Sequence, residues 1–149
     1  MSHFTLRAAC PTDAGKTAAI MSNYMENTLW MPRVHTGAED IGFLGSMIDR
    51  GRVTVAMSAG KVVGFVARDG ANIQALYVEE NTRRLGCGAL LLTHAKANVE
   101  KLSLWSFQGN TDAQAFYTAN GFCEVERTDG AGNDENLPDI RFEWHREAA

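Results

Sequence analysis

"LYVEENTRRLGCGALLL", residues 76 to 92, sets the end of an apolar strand, two adjacent arginines, a Gly-x-Gly and a run of leucines side by side. Strand, glycine-bearing turn and helix start, in that order, make an anion site, because the first N–H groups of a helix are unpaired and partly positive. Gly86 and Gly88 have no Cβ, so a ligand can come close to the backbone there. Arg83 or Arg84 can add bidentate contacts to phosphate oxygens, each charge-assisted bond contributing about 1.5–3 kcal/mol. The same residues also suit a tight turn with surface arginines. A Walker loop would need G-x-x-x-x-G-K-[ST], which is nowhere in the chain, and the dinucleotide fingerprint needs a third glycine where Leu91 stands.

Outward from this stretch, strand and helix patterns alternate. "NIQALYV", Asn72 to Val78, reads as a central strand, and the two β-rich runs in "RVTVAMSAGKVVGFVAR", Arg52 to Arg68, are joined at Ser58-Ala59-Gly60, a hairpin signal. After the glycines, Gly88, Leu92, Ala95 and Val99 form one apolar helical stripe. "LSLWSF" is a further strand, "TDAQAFYTAN" a short helix ending at Gly121, and "FCEVERT" and "IRFEWHR" are the last strands. Near the start, "PTDAGKTAAIM" places Pro11 in the first turn of a helix, and Ile41, Leu44 and Ile48 give a second helix its apolar spacing. This order predicts an α/β or α+β fold with a mixed sheet.

Composition narrows the function classes. A length of 149 residues predicts a single domain spanning 1–149. Cys10, Cys87 and Cys123 are odd in number, with no C-x-x-C pair, which points to a reduced, cytoplasmic protein. No apolar run approaches the roughly 20 residues that span a bilayer, so neither a signal peptide nor a membrane partner is expected. The net charge of −4 argues against a general nucleic-acid binder. His3, His94 and His145 lack metal-ligand spacing, and no metal is expected.

With these residues in view, "LYVEENTRRLGCGALLL" resembles the acyl-CoA signature of the GNAT superfamily of N-acetyltransferases, [Q/R]-x-x-G-x-[G/A], through Arg83, Gly86 and Gly88. "NTDAQAFYTANGF", Asn110 to Phe122, resembles that superfamily's N-x-x-A-x-x-F-Y-x-x-x-G-F at Asn110, Ala113, Phe116, Tyr117, Gly121 and Phe122. The likeness is good over residues 52 to 128, and the ends fit only in element order; Glu80 stands where many members have proline. It implies a mixed, mostly antiparallel sheet of about seven strands flanked by about four helices, with a splayed central strand pair.

The resemblance also implies a division of labour. The pantetheine arm of acetyl-CoA would pair with backbone groups of Leu76 and Val78 like an added strand. The pyrophosphate would sit on amides from Arg84 through Leu85, Gly86, Cys87 and Gly88 to Ala89, with Asn110 holding the arm from the other side. Tyr117 would be the general acid that protonates the departing thiolate, although its helix face, shared with Ala113, Phe116 and Asn120, also suits a core role. Cys87 invites a nucleophile reading, but direct transfer needs no acyl-enzyme. The acceptor implied is a primary amine, with Trp30 and His35 as candidate wall residues in the segment from Asn27 to Asp40. The acidic tract Asp129, Asp134, Glu135 and Asp139 would suit a cationic acceptor or be an ordinary solvated loop. No base is legible: Gln74, Asn72 or a backbone carbonyl acting through water, and Glu79, all stay open. The chain is expected to be a monomer or homodimer, and the alternative to catalysis is a non-catalytic acyl-CoA-binding or sensing module of the same fold.

Overall fold

The computed structural model describes residues 3–28, 30–32 and 34–147. The alternation in Arg52–Arg68 folds as a hairpin of β2 (Val53–Ser58) and β3 (Lys61–Asp69), turned by Ala59 and Gly60, both at positive φ. Two positive φ values in a two-residue loop match the right-handed twist of the flanking strands. Before it come β1 (Thr5–Ala8), which the sequence pattern did not signal, α1 (Ala14–Glu26) and α2 (Gly37–Asp49). After it come β4 (Asn72–Val78), α3 (Cys87–Lys96), β5 (Lys101–Phe107), α4 (Thr111–Ala119), β6 (Cys123–Thr128) and β7 (Asp139–His145).

The sheet runs β1-β2-β3-β4-β5-β7-β6, antiparallel throughout except where β4 lies parallel to β5. One face packs Val55, Phe65, Ala67 and Ala75 against Ile20, Leu44 and Met47 of α1 and α2. On the other face, Val66, Leu102, Leu104 and Phe142 meet Leu91 and Leu92 of α3 and Phe122 after α4. Leu44, Phe65, Leu91, Leu92 and Leu102 are sealed from solvent.

Two expected helix faces shift. In α2 the buried residues are Asp40, Leu44, Met47 and Ile48, while Ile41 is 48% exposed. Asp40 takes the inward place because the Ser22 hydroxyl of α1 donates to its carboxylate at 2.7 Å, which offsets the cost of burying it. In α3, Cys87, Leu91, Leu92 and Ala95 are buried, and Val99 falls beyond the helix end. A capping box that the spacing reading passed over starts α2: the Thr36 hydroxyl accepts from Glu39 N–H, and the Glu39 carboxylate accepts from Thr36 N–H.

β4 and β5 meet at a single register pair, Asn72 with Ser103, and the Ser103 N–H donates to the Ala71 carbonyl at 2.7 Å. Beyond that pair the strands part, as a splayed central pair requires. On its other side β4 is tied down: Glu79 N–H donates to the Val63 carbonyl at 2.7 Å, in the register that opposes Val78 to Gly64 and Leu76 to Val66. Bonded pairs alternate in an antiparallel ladder, so Tyr77 and Ala75 bond β3 while the N–H and C=O groups of Leu76 and Val78 face β5. With β5 gone from that edge, these groups are left for another partner.

The start of α1 is held by Asp13, whose buried carboxylate accepts from Arg7 Nη1 at 2.7 Å and Nη2 at 3.1 Å and from Cys10 N–H at 2.7 Å. The Arg7 guanidinium, helped by the Cys10 amide and opposed by burial, holds this carboxyl below its ordinary range. A depressed carboxylate stabilises the fold above the unfolded-chain pKa of about 4, and that contribution is lost as pH falls through the lower folded value. Asp13→Asn should therefore cost about 1–3 kcal/mol in urea unfolding at neutral pH. It should also make the loss of stability between neutral pH and strong acid shallower than in the wild type.

Candidate active site

Arg84 at φ 65° and Gly86 at φ 92° turn the chain from β4 into α3. Gly86 is the N-cap and supplies no side chain, so the N–H groups of Cys87, Gly88 and Ala89 open outward uncapped, while Leu90 N–H closes the first turn on the Gly86 carbonyl at 3.0 Å. Only glycine takes the Gly86 conformation without strain. Gly88 answers to a different constraint: a Cβ there would stand 3.0 Å from Phe116 Cζ, so the absent side chain sets how closely α3 approaches α4. Leu85, between the two turn residues, is half exposed, and Arg84 is exposed.

Cys87 lies on the inner side of this turn. It is 1% exposed, and its Sγ would be 3.2 Å from a Cβ built on Gly64 of β3. Burial pushes the thiol up to about 11, so it stays protonated at neutral pH and is a poor nucleophile. The Arg83 side chain folds back over the strand: Nε donates to the Val78 carbonyl at 3.1 Å, and the guanidinium lies 5.4 Å from the Tyr24 ring centre. Of the four backbone groups that Leu76 and Val78 turn toward β5, one is thus already engaged.

Asn110 caps α4, its Oδ1 accepting from Ala113 N–H at 3.2 Å, while Nδ2 donates to the Tyr24 hydroxyl at 2.5 Å. This contact crosses from α4 to α1. Tyr24 lies tilted against Tyr77 of β4 with ring centres 5.3 Å apart, and Tyr77 in turn meets Phe65 at 5.9 Å. Tyr117 of α4 packs against Phe116, Phe122 and Phe142 with ring centres 5.3, 5.7 and 6.1 Å apart. Among the described residues none hydrogen-bonds the Tyr117 hydroxyl. Burial first, then the neighbouring Tyr24, raises its pKa, so it keeps its proton throughout the neutral range. Tyr77 is raised in the same direction, by burial first and then by Tyr117, Tyr24, Glu135 and Asp40. Sequence reasoning missed Tyr24 and Tyr77: Tyr24 lies outside both motifs, Tyr77 is not one of the residues that carry the first, and only the packing of α1 on β4 brings the two together.

The acceptor candidates gather on the α1–α2 side. Trp30 is 41% exposed and stands edge-on to Phe107 at 5.9 Å. His35 lies 3.4 Å from Asp134 and 3.8 Å from Glu39, bridging the segment before α2 to the β6–β7 loop. Beside them a cleft of about 320 Å³ is lined by Trp105, Ser106 and Phe107 of β5 and by Gly132, Asn133, Glu135 and Asp139. Asp139 is engaged by Thr128 and Asn133, whereas Glu135 is half-buried on the loop. Glu79 is paired with Lys16 at 2.6 Å. Among the described residues no His, Cys, Asp or Glu group could hold a metal ion, and no helix is long and apolar enough to cross a membrane.

A mixed seven-stranded sheet opened between the one parallel strand pair among the described residues, with a glycine turn feeding a helix at the opening, is the fold of the GCN5-related N-acetyltransferases. The sequence profile of the acetyltransferase (GNAT) domain matches residues 49–124, and the chain belongs to that family. Among solved structures, a GCN5-related N-acetyltransferase from Rhodopseudomonas palustris superposes with TM-score 0.80 at 21% identity, over 98% of each chain. The apo form of YjaB from Escherichia coli gives 0.79 at 20% identity, over 95% of this chain and 97% of that one. The yncA protein of Salmonella typhimurium, determined with its cofactor acetyl-CoA, gives 0.74 at 17% identity, over 99% and 98%. No curated protein matches the chain by sequence.

The cysteines supply a test of this geometry. Cys10 and Cys123 are exposed and Cys87 is buried. A chromogenic disulfide reagent at pH 8 should label two thiols in the native protein and three in denaturant. Rapid native labelling of Cys87 would contradict its packing against Gly64.

Proposed function

We propose that this chain transfers an acetyl group from acetyl-CoA to the primary amine of an acceptor by direct attack, with Tyr117 as general acid. The observation that carries this reading is the Tyr117 phenol, protonated and without a hydrogen-bond partner among the described residues, on the helix that Asn110 starts beside the opened β4–β5 edge. In the family to which the chain belongs, acetyl-CoA supplies the acyl group; that yncA was determined with acetyl-CoA supports the same donor here.

The pantetheine arm would extend the sheet along β4, bonding the free groups of Leu76 and the Val78 N–H, while its pyrophosphate meets the amides from Arg84 to Ala89 at the uncapped start of α3. Asn110, on the far side of the gap, would donate the second proton of its Nδ2 to the arm. The acceptor would enter from the side of Trp30, His35 and the Trp105–Glu135 cleft. An alkylammonium with a pKa near 10.4 costs about 4 kcal/mol to hold neutral at pH 7.5, so it loses a proton to water or a nearby base before attack. The amine nitrogen then bonds the thioester carbon, the C–S bond breaks, the thiolate takes the Tyr117 proton, and the proton that the nitrogen sheds as the amide forms returns through water to the Tyr117 phenolate. Glu135, which lines that cleft, suits a cationic acceptor by charge.

Acetyl-CoA should raise the melting temperature at millimolar concentration, as any ligand bound only by the folded state does. Coenzyme A release with an amine panel then separates an enzyme from a module that binds acyl-CoA without turnover. Tyr117→Phe keeps the ring contacts and removes the proton donor. Its kcat should fall about 10²–10⁴-fold with acetyl-CoA affinity nearly unchanged. An unaltered kcat, where chemistry limits the rate, would leave water as the acid.

A further inference from the structure

The Tyr24 hydroxyl does more than pack. The orientation of the Asn110 amide is decided by its two bonds: Oδ1 accepts the Ala113 N–H, so the group facing Tyr24 is Nδ2, a donor. In that 2.5 Å contact Tyr24 is therefore the acceptor, and its own O–H proton is not consumed. Among the described residues none accepts that proton. The ring is fixed on three sides, by Tyr77 at 5.3 Å, by Arg83 at 5.4 Å and by the Asn110 contact. A half-buried phenol held this firmly, with its proton unspent beside Tyr117, is a preorganised donor in search of an acceptor.

What lies in the gap decides the acceptor. Asn110 starts α4 after β5, Tyr77 belongs to β4, and Tyr24 joins the two across the opening where β4 and β5 part. Resting on the acetyl-CoA reading above, we propose that Tyr24 is a further cofactor-contacting residue: oriented by Asn110, its hydroxyl donates to a carbonyl oxygen of the acyl-pantetheine arm. Asn110 then acts twice, through its own remaining proton and by fixing the direction of the Tyr24 proton.

Tyr24→Phe and Asn110→Asp test this by isothermal titration with acetyl-CoA, alone and combined. Asn110→Asp keeps an equally good helix cap but removes the amide donor, and its carboxylate would claim the Tyr24 proton. Loss of one neutral hydrogen bond predicts that Tyr24→Phe weakens acetyl-CoA binding about three- to tenfold, while the unliganded protein stays folded with a melting temperature lowered only by loss of the Asn110 contact. Asn110→Asp should weaken it at least as much, and adding Tyr24→Phe to Asn110→Asp should change nothing further. That dependence is one that a packing role for Tyr24 would not produce. A loss under threefold for Tyr24→Phe overturns the proposal, as does an equal added loss in the Asn110→Asp background. If Tyr24→Phe is unstable, Tyr24→Met takes its place with the same thresholds, and wild-type affinity in Asn110→Asp overturns the proposal in either case. Wild-type protein that fails to bind acetyl-CoA overturns the acetyltransfer reading and this proposal together. Wild-type binding with an indifferent Tyr24→Phe overturns only the latter.

Discussion

The arrangement of this protein depends on one hydrogen-bonding parity. Because Glu79 N–H bonds the Val63 carbonyl, the groups of Tyr77 and Ala75 are used by β3, and those of Leu76 and Val78 must look the other way. β5 leaves that side after Asn72 and Ser103, so the middle of the sheet carries an edge that ordinary sheets keep only at their margins. Shifting the register by one residue would send Tyr77's backbone to the gap and bury its ring on the opposite face. The opening, the aromatic cluster and the turn into α3 all follow from that parity.

What keeps the gap from closing is packing on both faces. Above it, α1 rests on β3 and β4 through Ile20, Met21, Tyr24 and Phe65, and the Arg7–Asp13 clamp holds the start of that helix. Below it, α3 and α4 come together where Gly88 leaves room for Phe116, and Phe122 and Tyr117 fill the space toward Phe142. Polar side chains at the opening are tied by bonds that fix direction: Arg83 to the Val78 carbonyl, Asn110 to both Ala113 and Tyr24. These bonds set the directions of the side chains at the opening in the unliganded protein.

The glycine turn and the α4 motif were legible because their chemistry is local. Gly86 announces a positive φ, Asn110 a helix cap, and the strand–turn–helix order an anion site, each read from neighbours within a few residues. Other features eluded that reading because they arise from contacts between distant segments. Ile41 sits at the right helical spacing yet faces solvent, because Asp40 finds a hydroxyl on α1. β1 is short and was not signalled; it exists by pairing with β2. Gly88, read as a backbone made bare for phosphate, also proves to be a packing glycine.

By itself, then, the sequence determined the order of the elements after β1, the central hairpin, the turn before α3 and the residues of two family motifs, since backbone conformational preference and apolar periodicity act over one or two turns of chain. Only the tertiary structure decided that Cys87 is a buried, protonated thiol, that Arg83 turns back to its own strand, and that Tyr24 and Tyr77 stand with Tyr117 around the opening. Those outcomes turn on burial and on hydrogen bonds between groups as far apart in the chain as Tyr24 and Asn110, and such partners are chosen when helices settle on a sheet.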